Sequence, residues 1–440
     1  MSGIKSGTVF CISLGCAKNQ VDSERLVGAL TGAGFELADE AAGAETCIVN
    51  TCGFIREATE ESVSTILDLI QMKAAGEIGR IGVMGCLLNR YGDNLTAELA
   101  EVDFWAGAED YTAVLALMGV RGTEAGCRSE IPVRALLKNH PVHVRYLKIA
   151  EGCNNACSYC TIPSIRGRMR SLPVDFLVRE AASLVEEGAR ELCVVAQDVA
   201  AYGLDRGERN GLIDLLKALE GSVPKGVWIR LFYLQPMMVR RSLIEYVASS
   251  SSVLPYLDIP IQHASDRILA AMNRRTTKQQ LGELFRTARS IRPDIALRTT
   301  CMVGFPGETR GDFDELLQFL EEIRFDRVGS FLFSPEEGTR AIELPSPVSG
   351  RTQKSRRSRL MALQEGISLE RQTSFIGSAL EVIVDSVSGD TAESRSYREA
   401  PEVDGVIEIE RVPPDLEVGE IVKIRVTDAT EHDMTGEVFS

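Results

Sequence analysis

The chain has 440 residues, a length that predicts about three domains, and its 44% hydrophobic and 25% charged residues are ordinary for a globular protein with a buried core. No apolar run approaches the roughly 20 residues that cross a bilayer, and residues 1–7 contain no apolar segment typical of a secretory signal. We therefore expect a cytoplasmic protein that does not enter a membrane. The 48 basic and 63 acidic side chains give a net charge of −15, which disfavours nucleic acid as a direct substrate and favours a basic protein partner.

Residues 8–120 predict an N-terminal parallel α/β domain, because short continuous apolar runs alternate with amphipathic segments. The predicted strands are Val9–Leu14, Thr46–Asn50 and Ile81–Gly85, and the predicted helices are Ser23–Thr31 and Arg56–Met72. Residues 121–140 contain Gly122, Gly126 and Pro132 and predict a linker.

Residues 141–372 predict six strand–helix units, which are typical of a full or partial parallel (β/α) barrel. The predicted strands are Val144–Ile149, Leu192–Ala196, Val227–Leu231, Tyr256–Pro260, Ile295–Met302 and Arg327–Phe333. The predicted helices are Val174–Glu187, Leu212–Leu219, Arg241–Ala248, Ser265–Met272, Lys278–Ile291 and Thr309–Ile323, followed by a basic helix, Arg351–Arg371. The chemistry of such a barrel belongs at the carboxyl ends of its strands.

Residues 373–440 predict a small antiparallel β-barrel, because short β-branched runs are separated by glycine and proline. The candidate strands are Leu380–Asp385, Gly405–Ile409, Ile421–Thr427 and Glu437–Phe439. The segment holds 16 acidic and 5 basic residues, a net charge of −11. We expect its acidic surface to contact a protein rich in lysine and arginine, and a merely solvated surface is the alternative. The grouped acidic residues are Glu399, Glu402, Asp404, Glu408 and Glu410.

Three of the 11 cysteines lie within eight residues, in the segment Cys153-Asn154-Asn155-Ala156-Cys157-Ser158-Tyr159-Cys160, hereafter the octet. The C-x3-C-x2-C spacing is too tight for the paired ligands of a zinc knuckle. Three thiolates on one loop suit a cubane iron–sulfur cluster that leaves one iron open. Three buried cysteines, or a zinc site completed from elsewhere, are the alternatives.

The octet resembles the signature of the radical S-adenosylmethionine enzymes. The resemblance implies that Cys153, Cys157 and Cys160 ligate a [4Fe-4S] cluster whose open iron binds S-adenosylmethionine. Reductive cleavage of that molecule gives a 5′-deoxyadenosyl radical. The resemblance also places Tyr159 near the adenine, although a core tyrosine is equally consistent with the sequence.

Three other cysteines, Cys16, Cys52 and Cys86, are spaced 36 and 34 residues apart, and each follows a predicted N-terminal strand. We call them the N-terminal triplet. Ligands bind beyond the strand ends of an open parallel sheet, and helix N-termini there favour thiolates. We therefore expect the three thiols to converge, and separate core cysteines are the alternative. Other cysteines, Cys11, Cys47, Cys193 and Cys301, lie in predicted strands and are expected to be buried, while Cys127 has no assigned role.

The motifs around the N-terminal triplet resemble those of the methylthiotransferase family. They are Leu14-Gly15-Cys16-Ala17-Lys18-Asn19-Gln20-Val21-Asp22-Ser23-Glu24, Asn50-Thr51-Cys52-Gly53-Phe54-Ile55 and Gly85-Cys86. The resemblance covers nearly the whole chain, and the terminal barrel resembles a TRAM domain. It implies that the triplet holds a second [4Fe-4S] cluster, also with an open iron.

Several segments resemble the branch of this family that acts on an aspartate of ribosomal small-subunit protein S-twelve. They are Leu14–Glu24, Leu257–His263, Arg298–Thr300 and Phe325–Val328. His263 is a candidate substrate contact or an ordinary loop histidine. Ala17 stands where the family usually has proline, and Leu172 where it usually has arginine, which removes one charge near the octet.

Further residues are candidates for the S-adenosylmethionine pocket. Gln197, with Asp198, follows the predicted strand Leu192–Ala196 and therefore lies at the catalytic face of the barrel. Gly304 and Glu308 belong to a turn between a strand and a helix that the resemblance connects with the same pocket. A capped turn without a ligand role is the simpler interpretation.

The resemblance implies a transferase that replaces a β-hydrogen of the target aspartate by a methylthio group. Such a carbon has no pKa accessible to a general base, so a radical route is required. The six cysteines of the two triplets are the implied catalytic residues and metal ligands. Two S-adenosylmethionine molecules per turnover and an electron donor such as flavodoxin or ferredoxin are implied. A tRNA adenosine methylthiotransferase and a non-catalytic iron–sulfur electron-transfer protein are the two alternatives.

Overall fold

The computed structural model describes residues 7–120, 134–137 and 140–439. Most of the predicted linker, including Cys127, lies outside these residues, as do residues 1–6. The chain divides into two compact units. The first unit comprises Met1–His140, Glu151–Asn155 and Cys160–Glu180, and the second comprises Pro141–Ala150, Ala156–Tyr159 and Ala181–Ser440. No helix of the described part is long and apolar enough to cross a membrane.

Within its described residues, the first unit is built on a parallel five-stranded sheet with the order β2-β1-β3-β4-β5. The strands are β1 (Thr8–Ser13), β2 (Glu36–Leu37), β3 (Thr46–Thr51), β4 (Arg80–Gly85) and β5 (Phe104–Gly107). The helices are α1 (Ala17–Gly32), α2 (Arg56–Ala74), α3 (Cys86–Glu98) and α4 (Tyr111–Leu117). The three predicted strands are confirmed, and the edge strands β2 and β5 are additional because they are too short to give an apolar run.

Helix α1 begins six residues earlier than the sequence predicted. Its first turns bury polar side chains, among them Asn19, Asp22 and Glu24. A buried polar face gives no apolar periodicity, so the sequence pattern did not mark the start of this helix. In contrast, β3 is buried at all six positions, and its apolar centre Cys47–Val49 marks the strand in the sequence.

The chain passes between the two units in residues 141–186. The elements of this segment are β6 (Val144–Lys148), β7 (Ala150–Glu151), α5 (Ile162–Arg166), β8 (Arg170–Ser171) and α6 (Val174–Glu186). Helix α5 lies in the first unit and β6 in the second.

All six strands predicted for residues 141–372 are present in the second unit. With β6 they are β9 (Glu191–Val195), β10 (Trp228–Leu231), β11 (Tyr256–Asp258), β12 (Ala296–Val303) and β13 (Arg327–Leu332). They form two parallel sheets with the orders β10-β9-β6 and β11-β12-β13, so the expected partial barrel is split between β10 and β11. The helices are α7 (Gly211–Ser222), α8 (Arg241–Ser249), α9 (Asp266–Ala271), α10 (Lys278–Ile291), α11 (Arg310–Ile323) and α12 (Gly350–Thr373).

The terminal domain is the predicted small β-barrel, closed in the order β14-β15-β16-β18-β17. Its strands are β14 (Ala379–Ser388), β15 (Thr391–Arg395), β16 (Ile407–Glu410), β17 (Ile421–Ala429) and β18 (Met434–Val438). The prediction of a fully antiparallel barrel is corrected at one pair, because β16 and β18 run parallel. Strand β15 was not predicted, since Thr-Ala-Glu-Ser-Arg contains few β-branched residues.

The barrel packs against the amino ends of the parallel strands through buried ion pairs. Glu191 begins β9 and accepts bonds from Arg395 of β15 at 2.7 Å and from Arg230 of β10 at 2.6 Å. Asp326, just before β13, accepts a bond from Arg398 at 2.8 Å. The carboxyl ends of the strands, where the catalytic face of a barrel lies, are therefore at the opposite side from the terminal barrel.

Two of the five acidic residues expected to contact a partner are buried in this packing, and that expectation is wrong for them. Glu399 is 0% exposed and pairs with Arg327 at 3.3 Å. Asp404 accepts bonds from Tyr256 at 2.7 Å and Arg298 at 3.3 Å. The local sequence does not distinguish a solvated carboxylate from one that pairs with a distant arginine. The exposed members of the group are Glu402, Glu408 and Glu410.

Candidate functional site

Three strand ends bring the N-terminal triplet to one edge of the sheet. β1, β3 and β4 are adjacent and parallel. Cys52 directly follows β3, Cys86 directly follows β4, and Cys16 lies three residues beyond β1. Besides burial, which is the larger effect, the charge of Cys16 raises the pKa of Cys52, and the charges of Cys52 and Cys16 raise the pKa of Cys86.

Two glycines allow the cysteine-bearing loops to approach one another. Gly15 has φ +89°, and a methyl group there would lie 2.6 Å from Cβ and 3.0 Å from Sγ of Cys52. Gly85 has φ +109°, and a methyl group there would lie 2.6 Å from the carbonyl oxygen of Thr51. L side chains rarely adopt such φ values, and neither position has space for one. The loops thus form a cradle that a Cβ atom at either glycine would fill.

Buried polar side chains fix these loops. The hydroxyl of Ser62 on α2 accepts a bond from the N–H of Cys52 at 3.1 Å and donates to its carbonyl at 2.9 Å. The side-chain amide of Asn19 donates to the carbonyls of Leu14 and Thr51 at 2.9 and 3.0 Å. The loops after β1 and β3 are therefore held by the helices that follow them.

The three thiols of the triplet have different electrostatic surroundings. Cys16 occupies the N-cap position of α1 without a side-chain bond to the helix. Desolvation raises the pKa of its thiol, but the charge of Lys18, the backbone N–H of Asn19 and the charge of Arg166 outweigh this effect and lower the pKa. Burial raises the pKa of Cys52, and it raises the pKa of Cys86 to about 11. A coordinated metal deprotonates such thiols, so all three can serve as ligands.

A buried arginine lies against the triplet. Arg166, the last residue of α5, donates from Nε to Sγ of Cys86 over 3.0 Å. A guanidinium can only donate, so the sulfur is used as an acceptor, as a thiolate ligand is. An N–H···S donor, three converging thiols and a glycine-lined cradle fit a cubane iron–sulfur cluster at this edge of the sheet.

The cysteines of the octet are divided between the units. Cys153 and Cys160 belong to the first unit and Cys157 to the second. In the first unit, Sγ of Cys153 accepts bonds from the backbone N–H and side-chain amide of Asn155 at 3.4 and 3.3 Å. In the second unit, Nη1 of Arg274 lies 4.0 Å from Sγ of Cys157. N–H donors directed at sulfur are again the surroundings that a thiolate ligand requires.

The candidates for the S-adenosylmethionine pocket belong to the second unit, where Gln197 follows β9 and the turn with Gly304 and Glu308 follows β12. Tyr159 packs against an apolar cluster that contains Met272 and Phe305. Phe305 is the neighbour of Gly304, so Tyr159 and the turn after β12 share one cluster. Gln197 is half-buried and follows β9, a strand of the other sheet.

Glu308 closes the turn that begins at Gly304. Its carboxylate accepts bonds from the backbone N–H groups of Gly304 and Phe305 at 2.5 and 3.1 Å and from Arg356 at 2.8 Å. Burial raises the pKa of this carboxyl. Glu308 therefore shapes the turn through bonds inside the protein. Arg356 belongs to the basic helix α12, most of whose arginines are exposed.

His263 has the properties of a buried loop histidine. It is 0% exposed, and its Nδ1 accepts the N–H of Ser265 at 2.9 Å. Burial lowers the pKa of the imidazole to about 3, so the ring is neutral. The other cysteines of the predicted strands, Cys47, Cys193 and Cys301, are buried, and Cys11 is half-buried.

Arg166 and Arg274 were not predicted as site residues. Arg166 lies six residues after Cys160, in a run with Arg168 and Arg170, and a basic run beside a cluster loop is the signal that would have indicated it. Arg274 is 117 residues from Cys157 in sequence, so only the fold brings the two together.

Comparison with known proteins defines the class of this protein. Family models match residues 8–107 (uncharacterized protein family UPF0004), 147–320 (radical SAM superfamily) and 376–439 (TRAM domain). The fold is similar to that of the radical S-adenosylmethionine methyltransferase TsrM from Kitasatospora setae, with a TM-score of 0.56 and 14% identity over 87% of this chain and 79% of that chain. Residues 147–320 are therefore a radical SAM domain by their family model, and the similarity to TsrM shows a shared fold.

Relatives with high identity extend over nearly the whole length. The chain is 42% identical to the ribosomal protein uS12 methylthiotransferase RimO of Geobacter sulfurreducens, over 98% of each chain. It is 42% identical to the protein of the same name from Aquifex aeolicus, over 97% of this chain and 96% of that one. The chain belongs to the family of ribosomal protein uS12 methylthiotransferases named RimO.

Proposed function

We propose that the chain transfers a methylthio group to the β-carbon of an aspartate in ribosomal protein uS12, the small-subunit protein S-twelve. The observation that carries the proposal is the meeting of Cys16, Cys52 and Cys86 in a cradle at the sheet edge, in a chain that also has the octet. Relatives 42% identical over nearly the full length bear the name of this activity. A tRNA substrate is disfavoured by the net charge of −15.

In this proposal each triplet holds one [4Fe-4S] cluster, and the barrel face binds S-adenosylmethionine. When bound, these groups supply the one-electron chemistry that an unactivated C–H bond requires. The cysteine thiolates hold the clusters, and the glycine cradle lets the loops that carry Cys16, Cys52 and Cys86 approach one another. Tyr159, Gln197, Gly304 and Glu308 shape the S-adenosylmethionine pocket, with Glu308 acting through the turn that it closes.

The proposed domains are residues 8–120 for the methylthiotransferase domain, 121–140 for the linker, 141–372 for the radical core and 373–440 for the TRAM domain. Each cleavage of S-adenosylmethionine needs one electron, and a flavodoxin or ferredoxin is the proposed donor.

The proposed contact with uS12 is the exposed acidic face of the terminal barrel. Glu393 on β15 stands directly opposite Glu408 on β16, and Glu410 lies two residues further on the same strand face. All three side chains are exposed. Like charges placed opposite each other destabilise a sheet, and a partner rich in lysine and arginine would relieve that repulsion.

The experiment is methylthiolation by the full chain. Protein reconstituted anaerobically with iron and sulfide should bind about eight irons if both clusters are cubanes. With S-adenosylmethionine, a reductant and ribosomes that lack the modification, mass spectrometry should find one methylthio group added to uS12. Unmodified uS12, with methylthiolated tRNA in a parallel reaction, would overturn the proposal in favour of the tRNA-modifying branch.

A further inference from the structure

Arg166 is held against the N-terminal triplet by a complete set of contacts. Its side chain is 3% exposed. Nε donates to Sγ of Cys86 at 3.0 Å, and Nη2 donates to Oδ1 of Asn19, the residue that ties two of the cysteine-bearing loops together. The N–H···S bond is therefore not a chance orientation of a mobile surface arginine.

Two buried carboxylates fix the other side of the guanidinium. Nη1 donates to Asp22 at 2.8 Å and to Glu151 at 3.0 Å, and both carboxylates are at most 5% exposed. Together with Glu109 these carboxylates approach within 4.8 Å of one another. Arg166 pairs with Asp22 and Glu151, and Arg170 pairs with Glu109 at 3.2 Å. The planar guanidinium of Arg166 thus donates to two carboxylates, the amide and the sulfur at once.

We propose that Arg166 is a positioning residue that raises the reduction potential of the cluster at the N-terminal triplet. The inference rests on the proposed function, because it requires a cluster at these cysteines. Hydrogen bonds to ligand sulfur and local charge are among the factors that set cluster potentials. An added electron makes the sulfur more negative, so the N–H donor and the positive charge bind the reduced cluster more strongly than the oxidised one.

The test uses the full chain with the three octet cysteines replaced by alanine, so that the iron bound belongs to the N-terminal triplet. Arg166→Lys keeps the positive charge for the carboxylates but lacks the fork that reaches the sulfur. The double variant Arg166→Gln with Asp22→Asn removes the guanidinium and one carboxylate together and leaves the net charge unchanged. The matched control is Arg25→Lys, because Arg25 is 5% exposed and pairs with Glu180 at 2.9 Å in the same unit.

The measurement is the midpoint potential, obtained by electron paramagnetic resonance at a series of fixed potentials. Both Arg166 variants should lower the ratio of reduced to oxidised cluster about tenfold at a given potential, which for one electron is about 59 mV. The Arg25→Lys control should match the parent. Potentials equal to the parent in both Arg166 variants would overturn the inference and leave the proposed function standing.

Loss of iron from the Arg166 variants and absence of iron from the parent would lead to different conclusions. Loss from both Arg166 variants together with a lowered melting temperature would assign Arg166 a purely structural role and overturn the inference. Absence of a cluster from the parent itself would refute the N-terminal cluster of the proposed function and the inference with it.

Discussion

Replacing Gly15 by alanine should displace Cys52 and remove the cluster from the N-terminal triplet. The added methyl group would lie 2.6 Å from Cβ of Cys52. Carbon atoms are in optimal contact at about 3.5–4.0 Å, so Cys52 has to move by about 1 Å. Ligand distances at a metal site tolerate about 0.2 Å, so a movement of this size should abolish ligation. The φ of +89° adds strain of about 1–3 kcal/mol.

A matched variant separates the steric contact from the backbone strain. Gly34 has φ +94° in the same unit, and no atom lies within 4 Å of a methyl group placed there. Gly34→Ala should therefore keep the full iron content at a slightly lower melting temperature. Anaerobically reconstituted Gly15→Ala should bind about half the iron of the parent. Full iron in Gly15→Ala, or an equal loss in Gly34→Ala, would refute the assignment of the loss to the contact with Cys52.

Alanine at all three octet cysteines should remove about half the iron and abolish formation of 5′-deoxyadenosine. Continued formation in chromatographic assays would reject the octet as the cleavage site. Alanine throughout the N-terminal triplet should preserve 5′-deoxyadenosine but eliminate methylthiolated uS12 in mass spectra, and product from this variant would make the triplet structural. Lysine at Glu393, Glu408 and Glu410 should raise KM for uS12 several-fold at low salt and less at high salt, with uncoupled S-adenosylmethionine cleavage intact. An unchanged KM would show that the acidic face of the terminal barrel is only solvated and does not contact uS12. Burial raises the pKa of the Asp326 carboxyl, but the positive charges of Arg398, Arg371 and Arg289 outweigh burial and lower this pKa to about 2. This carboxylate therefore stabilises the fold above about pH 4, and the stabilisation is lost as the pH falls towards 2. In Asp326→Asn, stability should therefore depend less on pH between about 4 and 2, as measured by circular dichroism. An unchanged pH dependence would contradict the pairing of Asp326 with these arginines.

The sequence by itself determined the features that depend on short stretches of chain. The strands β3 and β9 contain the apolar runs Cys47–Val49 and Leu192–Val195, and the burial of these runs follows from their composition. The octet places three thiols within eight residues, so its spacing indicates a cluster before any folding is considered. The N-terminal triplet was predictable for a related reason, because consecutive βα units of one parallel sheet place their loops at the same edge.

Only the tertiary structure decided which charged residues are buried with partners from elsewhere in the chain. Glu399 and Asp404 belong to an acidic stretch, yet they pair with arginines of the parallel strands rather than with solvent. Arg166 meets Cys86 across 80 residues of sequence, and Arg274 meets Cys157 across 117. A local pattern records the hydrophobicity of a residue and of its near neighbours, whereas the partner of a buried charge is set by the packing of distant elements. For the same reason, the sequence pattern does not show that the parallel sheet splits between β10 and β11. It also does not show that β16 pairs with β18 in parallel, and both features appear only in the folded chain.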